Sequence, residues 1–187
     1  MTRLMIIVAS VREGRIGLPI AQWVRGVAEA DPRFDIDWAD LKEIALPLMD
    51  EPNHPRLRQY THDHTKAWSA RVDAADAFIF VQPEYNYSFA PALKNALDYL
   101  HAEWRRKPVG TVSYGGISGG TRGTTAIRPV ELALGLSPTQ ANLELAWAAQ
   151  HLNDDGEFEA TESNGRTLHA MLDEIAQLDG ALAPLRG

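Results

Sequence analysis

Short, wholly apolar runs alternate along this chain with longer amphipathic stretches. Leu4–Ala9 and Ala77–Val81 are apolar throughout and bounded by turn formers, the pattern of parallel strands buried on both faces. Val109–Ser113 follows Lys107-Pro108 and runs into Tyr114-Gly115-Gly116, which predicts a third such strand. Phe34–Ala39 sets Phe34, Ile36 and Trp38 against Asp35 and Asp37, a strand with one wetter face. Thr139–Leu145 supplies a fifth. The intervening stretches have helical spacing. Ile20, Val24, Val27 and Ala28 follow Pro19, a residue suited to a first turn. Thr65–Ala75 and Ala126–Leu134 predict two more helices, and Pro91–His101 another, with Leu93, Ala96, Leu97 and Leu100 on one face. Arg166–Leu182 carries Leu168, Met171, Leu172, Ile175 and Leu182 on one stripe. These stripes are core faces rather than cofactor contacts.

Strand and helix alternate from end to end, which predicts a layered α/β fold around a parallel sheet joined by right-handed crossovers. No repeat, low-complexity tract or linker divides residues 1–187, so a single domain is expected. Two stretches lack periodicity: Ile44–His64, rich in Pro and His, and the acidic His151–Asn164.

Composition narrows the chemistry. The absence of cysteine excludes disulfides, thiolate nucleophiles and thiolate-held metals. A net charge of −7 lacks the bulk basicity of a nucleic-acid binder, although it permits a local cationic site for a small anion. The apolar runs fall far short of the roughly 20 residues that span a bilayer, and the run after Arg3 is too short for a signal peptide. A cytoplasmic protein with no membrane and no nucleic-acid partner is the expectation.

In open α/β sheets, ligands bind beyond the carboxyl ends of the strands. Three segments fall there. Ser10-Val11-Arg12-Glu13-Gly14-Arg15-Ile16-Gly17 leads into a helix N-terminus, whose free N–H groups favour an anion. Two guanidinium forks match phosphate oxygens, and the glycines allow close approach. The segment is neither a dinucleotide glycine fingerprint nor a triphosphate-binding loop. Gln82–Pro91 combines turn formers with Tyr85, Asn86, Tyr87 and Phe89, the means to hold a planar heterocycle by apolar edges and amide hydrogen bonds. Ser113–Gly123 holds five glycines in eleven residues, a backbone able to lie against a flat ligand. Each segment alone also reads as a plain connecting turn. Together they outline an anion clamp beside a ring cradle, an outline that FMN fits best.

At these residues the sequence resembles the NADPH-dependent FMN reductase family, which includes flavin-dependent quinone, chromate and azo-dye reductases. The family's phosphate-loop pattern, Gly-Ser-x-Arg-x-x-Ser-x-Asn, is similar to Ala9–Gly17: Ser10 and Arg12 match, while Arg15 and Gly17 replace the second Ser and the Asn. Pro83-Glu84-Tyr85-Asn86 followed by Pro91-Ala92-Leu93-Lys94-Asn95-Ala96 matches closely, except that Tyr87 stands where Gly is usual. The resemblance covers roughly Met1–Asn142. It implies a flavodoxin-like three-layer sandwich with a five-stranded parallel sheet in the order 2-1-3-4-5. It implies that Ser10, Arg12, Arg15, Ile16 and Gly17 hold the FMN phosphate. Pro83, Glu84, Tyr85, Asn86 and Tyr87 would line the ring, with Ser113, Gly115 and Gly116 on its other side. It further implies NADPH or NADH as co-substrate, ping-pong hydride transfer to a small-molecule electron acceptor, and a homodimer or homotetramer in which Ile44–His64 walls the neighbour's pocket.

No catalytic acid or base is expected, since the flavin carries the hydride and the chain shows no convincing triad or carboxylate pair. Backbone N–H groups of the Pro83–Tyr87 and Gly115–Gly116 turns are expected to stabilise charge on the ring. His54, His62 and His64 read as surface histidines, Asp154–Glu157 as a solvated turn, and Trp104–Lys107 as a basic cap on the preceding helix. Two competing readings remain at this level: an electron carrier without its own substrate site, and a scaffold that has lost the cofactor.

Overall fold

The computed structural model describes residues 1–186. β1 (Thr2–Val8) leads through the Ser10–Ile16 loop to α1 (Gly17–Glu29), then to β2 (Phe34–Asp40) and the short α2 (Leu41–Ile44). A long loop with one 3₁₀ turn at Pro55–Leu57 precedes α3 (Asp63–Ala74) and β3 (Ala77–Pro83). α4 (Pro91–Asp98), β4 (Pro108–Gly115), α5 (Thr121–Ala133), β5 (Ser137–Pro138), β6 (Leu143–Ala146) and α6 (Glu162–Leu182) follow.

The sheet is parallel, in the order β2-β1-β3-β4-β5, with β6 also on β4. The flavodoxin-like order read from the sequence therefore holds. The period-2 geometry of a strand divides each central strand between two cores. Leu4, Ile6 and Val8 of β1 and Ala77, Ile79 and Val81 of β3 pack against α1 and α6. Met5, Ile7, Phe78 and Phe80 pack against α3, α4 and α5. This two-sided burial explains why these runs show no polar alternation.

The fifth strand differs from its expectation. Thr139–Leu145 is not one strand: β5 pairs with the start of β4 and β6 with its end. Between them the chain leaves the ladder, and the N–H groups of Gln140 and Ala141 donate to the Glu174 carboxylate of α6 at 2.7 and 3.0 Å. α5 begins at Thr121, five residues ahead of the expected start, because left-handed Gly120 launches the helix directly from the glycine loop. α4 ends at Asp98 rather than His101. Lys107, expected to cap that helix, instead donates to the Val72 and Asp73 carbonyls at the C-terminus of α3.

Candidate active site

The carboxyl ends of β1, β3 and β4 meet around a cavity of about 440 Å³, within the usual range for small-molecule sites. Ser10, Arg12, Arg15 and Ile16 line one side, Pro83, Glu84 and Tyr85 another, and Gly115 and Gly116 a third. Nine of the thirteen expected site residues thus share one cavity. Gly17, Asn86, Tyr87 and Ser113 do not line it. Sequence reasoning missed Glu13, Gly14, Tyr114, Trp147, Ala149 and Gln150, which do.

The anion end is built by the β1–α1 loop. Ile16 offers α1 no side-chain cap, so the helix presents N-terminal amides without a side-chain partner. Only part of the expected cationic clamp is free. Arg15 pairs with Asp40 through two hydrogen bonds, at 2.6 and 2.5 Å, and also donates to the Ser10 carbonyl at 2.7 Å. The Asp40 contact holds the Arg15 guanidinium above its ordinary pKa. Glu13 pairs with Lys42 at 2.7 Å. Arg12 is exposed and makes no ion pair among the described residues; its guanidinium lies 6.0 Å from the Tyr85 ring centroid.

Two hydroxyls lie beneath this loop. Ser10 Oγ and Tyr114 Oη are buried beside one another and have no other hydrogen-bond partner among the described residues, their residues 1% and 4% exposed. A Cβ at Gly17 would sit 2.1 Å from the Tyr114 hydroxyl and 2.4 Å from Ser10 Oγ. Gly17 is therefore glycine for space, not for backbone conformation.

At the other end, Tyr85 and Ser88 exchange backbone hydrogen bonds at 2.8 and 2.9 Å around Asn86 and Tyr87, whose φ values are +48° and +68°. Two consecutive positive φ angles define the tight primed turn that favours Asn-Gly. Asn86 suits its position; Tyr87 takes a conformation that costs a side-chain-bearing residue about 1 kcal/mol. The Arg122 guanidinium lies 4.1 Å over the Tyr87 ring and offsets part of this. Both turn residues are exposed, and neither lines the cavity. Two of the turn's backbone donors are committed: Glu84 N–H donates to Tyr114 O at 2.9 Å, and Tyr85 N–H to Ser88 O.

Glu84 ties the two loops together. It accepts from Ser118 Oγ at 2.9 Å and from the Arg122 backbone and guanidinium, both at 3.1 Å. Burial pushes its pKa up, but these hydrogen bonds outweigh burial and hold it below the ordinary carboxylate value. The glycine loop is only partly a ligand surface. Gly115 and Gly116 face the cavity, whereas a Cβ at Gly120 would meet Ser113 Cβ at 2.6 Å and Tyr114 N at 2.7 Å. Ser113 Oγ donates to Gly119 O and closes the same turn. Trp147, at φ +52° and 52% exposed, donates its N–H to Gly116 O at 3.1 Å and walls the remaining side.

The model of the NADPH-dependent FMN reductase family matches residues 2–148. The chain belongs to that family. A family relative named NAD(P)H-dependent FMN reductase, from Schizosaccharomyces pombe, is 42% identical over 120 residues. That match takes in 63% of this chain, and the chain spans only 60% of the relative's length. A Nectria protein of the same description is 35% identical over 155 residues, 80% of this chain and 77% of its own. Among solved structures, the flavoenzyme NAD(P)H:(acceptor) oxidoreductase of Paracoccus denitrificans superposes with a TM-score of 0.77. It covers 97% of this chain and 99% of its own at 19% identity, a likeness of fold. No helix among the described residues is long and apolar enough to cross a membrane.

Proposed function

We propose that the chain is an FMN-dependent oxidoreductase that takes electrons from NADPH or NADH and delivers them to a flavin, quinone or similar small acceptor. The observation that carries this is the pairing, in one open cavity, of a helix N-terminus without a side-chain cap over two adjacent buried hydroxyls, which have no other partner among the described residues, with an apolar and glycine wall. The first feature suits a phosphate and the second a planar ring. FMN, when bound, supplies a ring that accepts hydride from the nicotinamide and returns it to the acceptor, in ping-pong order.

The chain's own part is to bind and orient. Arg12, the α1 amides and Ser10 fix the phosphate end. Pro83 and Tyr85 face the ring, with Gly115 and Gly116 opposite. The two carboxylates on the cavity are engaged, Glu84 with Arg122 and Glu13 with Lys42, so neither is set up as a general acid or base. That agrees with a reaction in which the protein positions and the cofactor reacts. For assembly we infer a homodimer or homotetramer. In the long loop after α2, Leu48 is 86% exposed, and Asn95 fixes both sides of it by bonding Pro47 O and Met49 N. With Met49 and Leu57 also exposed, this loop carries an apolar edge that suits a neighbour's surface.

The test is an absorption spectrum of protein loaded with FMN and desalted, before and after anaerobic NADPH and NADH. Retained flavin bands that bleach within the mixing time support the oxidoreductase. Bands that persist without bleaching replace it with an electron carrier, and no affinity for FMN overturns the cofactor assignment.

A further inference from the structure

We propose that the Tyr114 hydroxyl, standing with Ser10 Oγ in the space a side chain at position 17 would fill, is the buried donor that holds the phosphate monoester of FMN. The inference rests on the FMN reading and assigns a residue that the phosphate-loop pattern itself does not contain.

Charge makes such a donor necessary. Of the cations at the anion end, Arg15 is held by Asp40 in a largely buried pair and Lys42 lies on the exposed Glu13, which leaves Arg12 as the guanidinium without an ion pair among the described residues. One exposed arginine on a chain of net charge −7 is a thin clamp for a dianion. Neutral donors must supply the rest. α1 is thirteen residues long and its N-terminus carries no side-chain cap, so its amides point at the same place. Beneath them lie the two hydroxyls. A buried polar group without a partner is costly; Ser10 can donate to the Tyr114 oxygen, and the Tyr114 O–H is then the donor that still calls for an acceptor.

Geometry explains why Tyr114 reaches this point. It sits near the end of β4, paired in register with Pro83, and its ring packs into the core beside α1 and α6. Its hydroxyl is thus held by a strand and a packed ring rather than by a loop. The 2.1 Å from that hydroxyl to a Cβ at position 17 shows that only glycine leaves room for it. Burial pushes the phenol's pKa up, so the group remains an O–H donor at any working pH. A phosphate oxygen is the acceptor it lacks; a neutral ribityl chain ending in a hydroxyl offers a weaker one.

The experiment compares FMN with riboflavin on the full-length chain, by flavin fluorescence titration of wild type, Tyr114→Phe and Ser10→Ala. Thermal melts check that each variant folds; Tyr114→Phe removes one oxygen and keeps the packed ring. We expect wild type to prefer FMN, and Tyr114→Phe to raise the FMN Kd roughly 10- to 100-fold with the riboflavin Kd little changed. Wild type that binds riboflavin as tightly as FMN overturns the phosphate-site reading itself. Wild type that discriminates, with Tyr114→Phe discriminating equally, leaves that reading intact and overturns the tyrosine's role. Equal loss of both flavins in Tyr114→Phe also overturns it, by assigning the hydroxyl to loop support. So does an unchanged FMN Kd with a raised KM for NADPH, which would place the dinucleotide's phosphate there.

Discussion

The Arg15 guanidinium meets both carboxylate oxygens of Asp40, at 2.6 and 2.5 Å, with the two side chains 10% and 1% exposed. This is a buried, forked ion pair, and it joins the first loop of the site to the end of β2. Asp40 also accepts from Lys42 N at 2.9 Å and so caps α2. Arg15 is therefore a brace, whereas Arg12 is exposed and makes no ion pair among the described residues.

The two arginines should separate in experiment. Arg15→Ala strands a buried carboxylate and should cost about 2–4 kcal/mol of stability in urea denaturation. Arg12→Ala, at an exposed position, should change stability by under about 0.5 kcal/mol. It should nevertheless weaken FMN about tenfold, by loss of a charge-assisted contact. An Arg15→Ala protein with the wild-type urea midpoint would remove the brace.

Glycine substitutions test the packing under the loop. Gly17→Ala drives a methyl group into the Tyr114 and Ser10 hydroxyls and should cost about 1–3 kcal/mol. Gly120→Ala meets backbone at 2.7 Å with φ at +89°, so it should cost more. Gly165 lies inside α6 with nothing within 4 Å of its missing Cβ. Gly165→Ala should therefore stabilise by about 0.5–1 kcal/mol. Calorimetric melts of the three variants give the order directly; equal melting points for Gly17→Ala and Gly165→Ala would contradict the crowding described.

How legible was this site? The strands were, because a sheet buried on both faces leaves runs such as Leu4–Val8 and Ala77–Val81 with no polar interruption. The loops were legible as a group, since nine of the expected residues share the cavity. Their individual roles were not. Arg15 reads as a phosphate ligand, and nothing in the sequence reveals that Asp40, twenty-five residues away, also takes its guanidinium. Asn86 and Tyr87 read as ring contacts from their place beside Tyr85; the turn they form leaves both exposed and outside the cavity lining. Tyr114 and Gly17 inform each other only in space, and in the sequence Gly17 is a plain departure from the family pattern. The split fifth strand was illegible because Glu174 of α6 takes its interrupted N–H groups, a partner that periodicity cannot reveal.

Trp147 joins strain to an exposed aromatic surface, and that combination points to function. Trp147→Gly relaxes a positive φ and removes the indole wall from the cavity. Stability should hold within about 1 kcal/mol, since the relief offsets the lost packing. The KM for an aromatic quinone should rise several-fold. Steady-state kinetics with a quinone and with a small inorganic acceptor distinguish the cases: a parallel change in both would assign Trp147 to loop architecture rather than to acceptor contact.

Lys107 gives the chain a pH signature away from the site. Its residue is 5% exposed, and its ammonium donates to Val72 O at 2.9 Å and Asp73 O at 3.0 Å. Burial pushes its pKa down to about 8, with nearby Asp73 opposing in part. In the unfolded chain a lysine titrates at its ordinary value of about 10.4. Between these values the unfolded state holds a proton that the folded state has released, so stability rises with pH. From about pH 7.5 to about pH 9 the gain should reach roughly 1 kcal/mol. The tyrosines do not reverse it there: Tyr99, pushed up to about 12 by burial and by its bond to Asp50, stays protonated when folded, and free tyrosine titrates only near pH 10. Lys107→Met removes the titrating group, so its urea stability should stay flat across the same window. A wild-type profile parallel to that of Lys107→Met would show that the buried ammonium titrates no differently from a free one.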